Sequence, residues 1–211
     1  MSRMKFEGLL ENEFALSDKA LRNKNTADSD VIDVPVENLV LDEENIAIFG
    51  DFSQESIDSL SKDIENDGFK GAILAYPIRK DGDIQLYQIE SGHKRYLAAK
   101  QAGLKKVPVI VTEIPKSDAE RRLRLISMNL HTRETPKPSI LANEAAILLN
   151  SIRELREEEG LSTDMTTLTQ LVAERMERST KAIEKYRQFK KLIPKLQDLA
   201  DEGASWSALV N

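Results

Sequence analysis

The stretch from Ile84 to Val111 constrains the fold of this chain more than any other. Ile84 to Ile89 has the character of a strand, Gly92 interrupts it, Lys94 and Arg95 open a helix, and the β-branched run Val107–Val111 returns to strand. A glycine before a basic helix N-terminus suits an anion. It lets a ligand approach the backbone, the first-turn N–H groups lack helical partners, and Lys and Arg add charge. The same order of elements occurs in α/β proteins that bind nothing at that turn. These residues alone therefore leave a phosphate site and a purely structural turn both open.

At 211 residues the chain is long enough to bury a core and to hold one large or two small domains. No apolar run reaches membrane-spanning length and the N-terminus carries no signal-peptide pattern, so the expected location is cytoplasmic, with no membrane partner. The absence of cysteine excludes disulfides, thiolate metal sites and a cysteine nucleophile. His93 and His131 are too few for a zinc site unless carboxylates complete it. The net charge of −6 argues against a nucleic-acid partner until its distribution is considered. Residues 1–66 hold six Lys/Arg against sixteen Asp/Glu, a net of −10, whereas residues 165–195 hold eight against three, a net of +5. The acidic part would repel DNA and the basic part could touch it.

Residues 1–30 are polar and read as a flexible tail, with a short helix near Phe6 to Leu16. Val31–Leu39 reads as a first strand, which Pro35 places at a sheet edge. Ser53 or Gln54 to Asp67 reads as a helix with Ile57, Leu60 and Ile64 on one stripe, ended by Gly68. Ile73–Ile78 and Ile84–Ile89 are strands joined by the turn Lys80-Asp-Gly-Asp83. A helix follows from about Lys116 to Asn129. Thr132 to Ser139, with Pro136 and Pro138, reads as a linker into an all-helical half. There the helices fall at about Ile140–Glu158, Met165–Met176, Thr180–Leu192, Pro194–Asp201 and Ser205–Val210.

Thr169 to Leu192 has the layout of a helix-turn-helix, at about residues 166–192. Val172, Ala173 and Met176 line the inner side of its first helix, and Ile183, Tyr186 and Phe189 that of its second. Ser179 or Thr180 caps the second helix, and Thr180, Lys181, Glu184, Lys185 and Gln188 face outward, where they could meet base edges. Arg178, Arg187, Lys190 and Lys191 suit phosphates. The turn position that often holds glycine is Glu177. Any small helical bundle also exposes Lys and Arg on short amphipathic helices, so this pattern alone leaves DNA reading and a plain bundle open. No exposed aromatic cluster offers a platform for single-stranded nucleic acid.

The order of these pieces, from about Val31 to Leu209, resembles the ParB family of chromosome and plasmid partition proteins. The resemblance is most specific at Ser91-Gly-His-Lys-Arg-Tyr-Leu-Ala-Ala-Lys-Gln-Ala-Gly-Leu104, followed by Val107-Pro-Val-Ile-Val111. This is similar to the family's Gly-Glu-Arg-Arg box, which in many members binds the triphosphate of CTP. Met128-Asn-Leu-His131 stands where the family has Glu-Asn-x-Gln, a motif that helps hold magnesium and the triphosphate. The resemblance implies an α+β fold: a small mixed-sheet ParB/sulfiredoxin-like domain at 31–131, then an all-α helix-turn-helix domain at 132–211. It implies phosphate contacts from Gly92, His93, Lys94, Arg95 and Asn129, with Asn129 also near Mg2+. His93 could act as a neutral donor or as an imidazolium. CTP and Mg2+ are the expected cofactors and double-stranded DNA the expected partner. Self-association and a ParA-type ATPase follow as further partners, Arg22 and Lys24 being the tail's candidates for stimulating the latter.

Three departures from the family's pattern stand out. Met128 replaces the acidic residue before Asn129, Ile46-Ala-Ile-Phe-Gly50 stands where a Gln-Pro-Arg segment is usual, and Gly71-Ala72 replaces Gln-Pro after the Gly68 turn. The expected function is thus a sequence-specific, CTP-responsive DNA clamp of the partition type, nucleoid- or plasmid-associated, with weak CTP hydrolysis at most and no catalytic residue assigned. A transcriptional regulator with a degenerate pocket is the second reading. The third is a small-molecule kinase-like enzyme, since sulfiredoxin and some free-serine kinases share the fold. For that reading Glu90 is the nearest carboxylate.

Overall fold

Residues 31–130 and 137–205 are described by the computed structural model. They form two compact units, one running to Ile114 and the other beginning at Pro115. The sequence boundary lay later, at Thr132–Ser139. The difference lies in the helix before that segment, whose partner is the long helix after it.

The first unit is built on a five-stranded mixed sheet in the order β1-β5-β3-β4-β2. Its strands are β1 (Val31–Pro35), β2 (Leu39–Val40), β3 (Ile73–Asp81), β4 (Ile84–Ser91) and β5 (Lys106–Val111). β1 pairs antiparallel with β5, β5 parallel with β3, β3 antiparallel with β4, and β4 parallel with β2. Because alternate residues of a strand share a face, Val34, Ile73, Ala75, Ile89, Val107 and Val109 all point into one core. Ile73, Ile89 and Val109 are wholly buried, each burial stabilising the fold by roughly 1.5–3 kcal/mol.

The single strand expected over Val31–Leu39 is two strands on opposite edges of the sheet. Pro35 ends β1 and caps a short 3-10 turn at Val36–Asn38, whose Val36 N–H donates to Lys105 O at 3.0 Å. The chain then crosses to β2, which adds to β4 at the far edge. A helix absent from the sequence expectations follows: α1 (Glu43–Phe49), capped by Asp42, whose carboxylate accepts Glu44 N–H at 2.9 Å, and ended by Gly50. Its apolar stretch is too short to show a helical period. β3 runs further into the turn than expected, to Asp81, and β4 starts at Ile84 as expected but continues to Ser91; β3 includes Pro77. That proline is tolerated because β5 pairs with β3 only as far as Ala75, and a register shift follows it. Gln85 Nε2 donates to Ile78 O at 2.8 Å across the irregularity.

Two helices pack together over the core face, α2 (Gln54–Asp67) and α3 (His93–Gln101). Ser53 caps α2 by accepting Ser56 N–H, and Ile57 and Ile64 anchor it. Tyr96, Ala98 and Ala99 anchor α3; the alanines allow its close approach to the sheet.

The second unit contains α4 (Asp118–Ser127), α5 (Pro138–Glu158), α6 (Met165–Arg175), α7 (Thr180–Phe189) and α8 (Pro194–Asp201). α5 is its spine, packed against each of the other four. Pro138, expected in a linker, instead occupies the first turn of α5, where its missing N–H costs nothing. The cap of α5 comes from α8: Asp201 accepts Ser139 N–H at 3.0 Å through Oδ1 and the Ser139 hydroxyl through Oδ2. The helices expected near Phe6–Leu16 and over Ser205–Val210, the tail at 1–30 and His131 lie outside the described residues or, for the second helix, nearly so.

Asp201→Ala removes both bonds to Ser139 and leaves the N-terminus of α5 uncapped. It is expected to lower the stability of the helical unit by about 1–2 kcal/mol, read from the urea midpoint followed by helical circular dichroism. An unchanged midpoint would show that the α8 cap is dispensable.

Candidate nucleotide and nucleic-acid sites

β4 passes into α3 through Gly92, at φ +101. A Cβ there would lie 3.3 Å from Ile73 Cγ1 and 3.5 Å from Ile73 Cα. Glycine is favoured twice, by the left-handed backbone and by the tight approach of the strand beside it. Gly92 offers no side-chain cap to α3, and the first bond of the helix runs from Tyr96 N–H to Gly92 O at 2.9 Å. The N–H groups of His93, Lys94 and Arg95 therefore lie ahead of the helical ladder, the arrangement that attracts an anion.

The three side chains after Gly92 have different surroundings. Lys94 is exposed. Arg95 is half-buried and reaches back over the N-cap of its own helix, its Nη2 standing 3.3 Å from a Cβ placed on Gly92. Burial pushes its pKa below the usual value, though an arginine remains charged at any working pH. Among the described residues no carboxylate pairs with it. A half-buried cation of this kind favours the arrival of an anion.

His93 is only 3% exposed, and its Nε2 has no hydrogen-bond partner. Burial lowers its pKa to about 4, with Asp42 acting in the opposite direction. Of the two forms left open by the sequence, the neutral imidazole is the one this environment favours. Glu90 is also 3% exposed and accepts the Thr112 hydroxyl through Oε2, so the carboxylate considered for a kinase-like reaction is a buried member of the sheet.

Asn129 belongs to the other unit, just after α4, and its Nδ2 donates to Leu125 O at 2.7 Å. Met128 is the C-cap residue of α4. No group of three or more His, Asp or Glu side chains gathers among the described residues. These residues do not make a protein-built metal centre.

In the helical unit, α6 and α7 pack against each other through Val172, Ala173, Met176, Ile183, Tyr186 and Phe189, all buried. Between them Glu177 adopts φ +51, the left-handed conformation for which a glycine is usual. Ser179 caps α7 by accepting Ala182 N–H at 3.2 Å. Arg178, Thr180, Lys181, Glu184, Arg187 and Gln188 are exposed and Lys185 is half-exposed, so the residues singled out for DNA lie at the solvent side of one turn and helix. Lys190 is exposed but hydrogen-bonds Asn143 of α5. No helix of the described residues is long and apolar enough to cross a membrane.

Two features gave no usable signal in the sequence. Gly71, at φ +79 in the loop before β3, lies against the Arg95 guanidinium. Arg175 of α6 donates to the Ser127 hydroxyl at the end of α4, at 2.9 Å from Nε and 2.6 Å from Nη2. Both are contacts between distant segments, visible only once the chain is folded.

Residues 21–129 match the ParB N-terminal domain family. The chain belongs to this family. It is 35% identical over 89 residues to the chromosome-partitioning protein ParB of Myxococcus xanthus (strain DK1622), a match covering 42% of this chain and 28% of that protein. The crystal structure of C-terminally truncated chromosome-partitioning protein ParB from Caulobacter crescentus, complexed to the centromeric parS site, shares the fold. Its TM-score is 0.52 and its identity 22%, over 85% of this chain and 89% of that one. A Pnob8-like ParB-N domain does so with a TM-score of 0.55 and 14% identity, over 86% and 92%. The ParB N-terminal match includes the Gly92–Arg95 turn and Asn129 and stops before α5 to α8.

The buried imidazole gives a pH dependence with a defined sign. Between its ordinary pKa of 6.5 and about 4, the unfolded chain binds a proton at His93 that the folded chain does not. Stability contributed at this position is therefore complete above that window and is lost as pH falls through it. Urea midpoints at about pH 7 and about pH 5 should drop more for the wild type than for His93→Gln. Equal drops would show that the imidazole is not held neutral.

Proposed function

We propose that this ParB-family protein is a DNA-binding partition protein whose α/β unit binds a nucleoside triphosphate, CTP, at the N-terminus of α3. The observation that carries the nucleotide half is the uncapped Gly92 turn with the Arg95 guanidinium folded over it and, among the described residues, no carboxylate paired with it. Gly92 would admit the phosphates to the backbone, Arg95 would grip two oxygens, and Lys94 would add a mobile charge. His93 would act as a neutral hydrogen-bonding group. Asn129 would supply a further polar contact to the triphosphate, and Mg2+ would be held mainly by phosphate oxygens and water, as is common for this ion. Met128 beside Asn129 favours binding over hydrolysis, because no carboxylate stands there to help hold the ion.

The DNA half is supported by the exposed basic face at α7. Lys181, Lys185, Thr180, Glu184 and Gln188 would meet base edges, while Arg178, Ser179, Arg187 and Lys190 would meet phosphates. The parS complex of the Caulobacter crescentus relative is in keeping with this reading. Nucleotide-dependent self-association around DNA, and engagement of a partition ATPase by the tail, complete the proposed role.

The test is a titration of each nucleoside triphosphate against the full chain, with and without Mg2+ and with and without a duplex selected from a random pool. CTP should bind in preference to the others, and the selected duplex should change its affinity, as coupling between two sites requires. Lys181→Ala and Lys185→Ala should each weaken DNA binding and relax its base preference, whereas Arg187→Ala should weaken binding to all sequences alike and reduce the salt slope by about one unit. Absence of binding by every nucleotide, with DNA binding retained, would leave a DNA-binding regulator with an empty pocket. Unchanged DNA affinity in both lysine variants would remove α7 as the reading helix.

A further inference from the structure

The Arg95 guanidinium lies against a residue far from it in sequence. The guanidinium lies between two glycines, each at positive φ: Gly92, the N-cap of α3, and Gly71, in the loop between α2 and β3. A Cβ on Gly71 would stand 2.8 Å from Arg95 Nη1, inside the distance real Cβ atoms keep, and a Cβ on Gly92 would stand 3.3 Å from Nη2. The roles of the two glycines differ. Gly92 stands against Ile73 as well as Arg95, a Cβ there lying 3.3 Å from Ile73 Cγ1, so its lack of a side chain also serves the packing of the turn on β3. Around Gly71 the one heavy atom within 4 Å of the added Cβ outside its chain neighbours is Arg95 Nη1. No packing requirement of the core falls on Gly71. The space it leaves is taken by the guanidinium alone.

A side chain at 71 would leave the arginine one response. The sheet at Gly92 and Ile73 is rigid, whereas the arginine stem is flexible, so the guanidinium would swing off the N-terminus of α3. Its fork would then no longer add to the N–H groups of the first turn. We propose that Gly71 is a positioning residue of the anion site: the slot between Gly71 and Gly92 fixes the Arg95 guanidinium over the start of α3, where both act on one phosphate-class anion. This rests on the nucleotide reading above, and it adds a loop outside the strand–turn–helix unit to the machinery of the site. Gly71 itself touches no ligand atom in this scheme. It acts through Arg95.

The experiment is a double-mutant cycle on the full chain, with CTP and Mg2+ titrated calorimetrically into the wild type, Gly71→Asn, Arg95→Lys and the double variant. Asparagine tolerates positive φ better than other side chains yet still carries a Cβ, which separates the steric effect from backbone strain. Gly71→Ala serves as the second variant, and thermal midpoints report whether each protein is folded. Losing a well-aimed charge-assisted hydrogen bond should weaken nucleotide binding by about tenfold in Gly71→Asn. In the Arg95→Lys background the same change should cost less than about twofold, because the slender ammonium does not fill the slot. Wild-type affinity in the folded Gly71 variants, or an equal loss in both backgrounds, overturns the positioning role while leaving the nucleotide site standing. A wild type that binds no triphosphate, and no inorganic tripolyphosphate, overturns the nucleotide reading and the positioning role together.

Discussion

The contact between Gly92 and Ile73 is the constraint on which the α/β unit depends. At this point the backbone of the β4–α3 turn comes so close to β3 that a Cβ on Gly92 would lie 3.3 Å from Ile73 Cγ1, a contact that Ile73 could meet only by giving way. The closeness sets where α3 begins. Its position in turn decides that Tyr96, Ala98 and Ala99 fall on the core face and that the first-turn N–H groups emerge at the end of the sheet. The outward-facing first-turn N–H groups and the packing contact thus belong to the same turn. The turn cannot drift without opening the core, and the rigidity of the core is lent to the turn.

Around that turn, charge and burial are arranged unequally. Lys94 is exposed, Arg95 is half-buried with no carboxylate paired to it among the described residues, and burial of His93 favours its neutral form. The site therefore presents positive charge at its mouth and a neutral polar group within.

The helical unit is held by a different device. Its helices are short, and their ends are tied by side chains from elsewhere: Asp201 of α8 caps α5, and Arg175 of α6 binds Ser127 at the end of α4. The second tie joins the first helix of the α6–α7 pair to the segment that carries Met128 and Asn129. Only the turn between α6 and α7 carries backbone strain on a non-glycine residue, Glu177, among the described residues. Such strain costs on the order of 1 kcal/mol and persists because Val172, Met176 and Ile183 pack on both sides of it.

Much of this was legible in the chain itself. Alternating and stripe-like apolar residues mark β3, β4, β5, α2 and α7, and the punctuation by Gly68, Gly92 and Pro138 falls at or beside real element ends, although Pro138 opens a helix where a linker was expected. Short elements were not legible. α1 and β2 carry too few residues to show a period, and the break at Pro35 sends two adjacent pieces to opposite edges of the sheet. The basic turn at Gly92 was set by the sequence because a glycine, a charge pattern and a strand are local properties. The approach of Gly71 to Arg95, the burial of His93 and the cap from Asp201 were decided only by tertiary structure, because each depends on atoms that the chain brings together from distant segments.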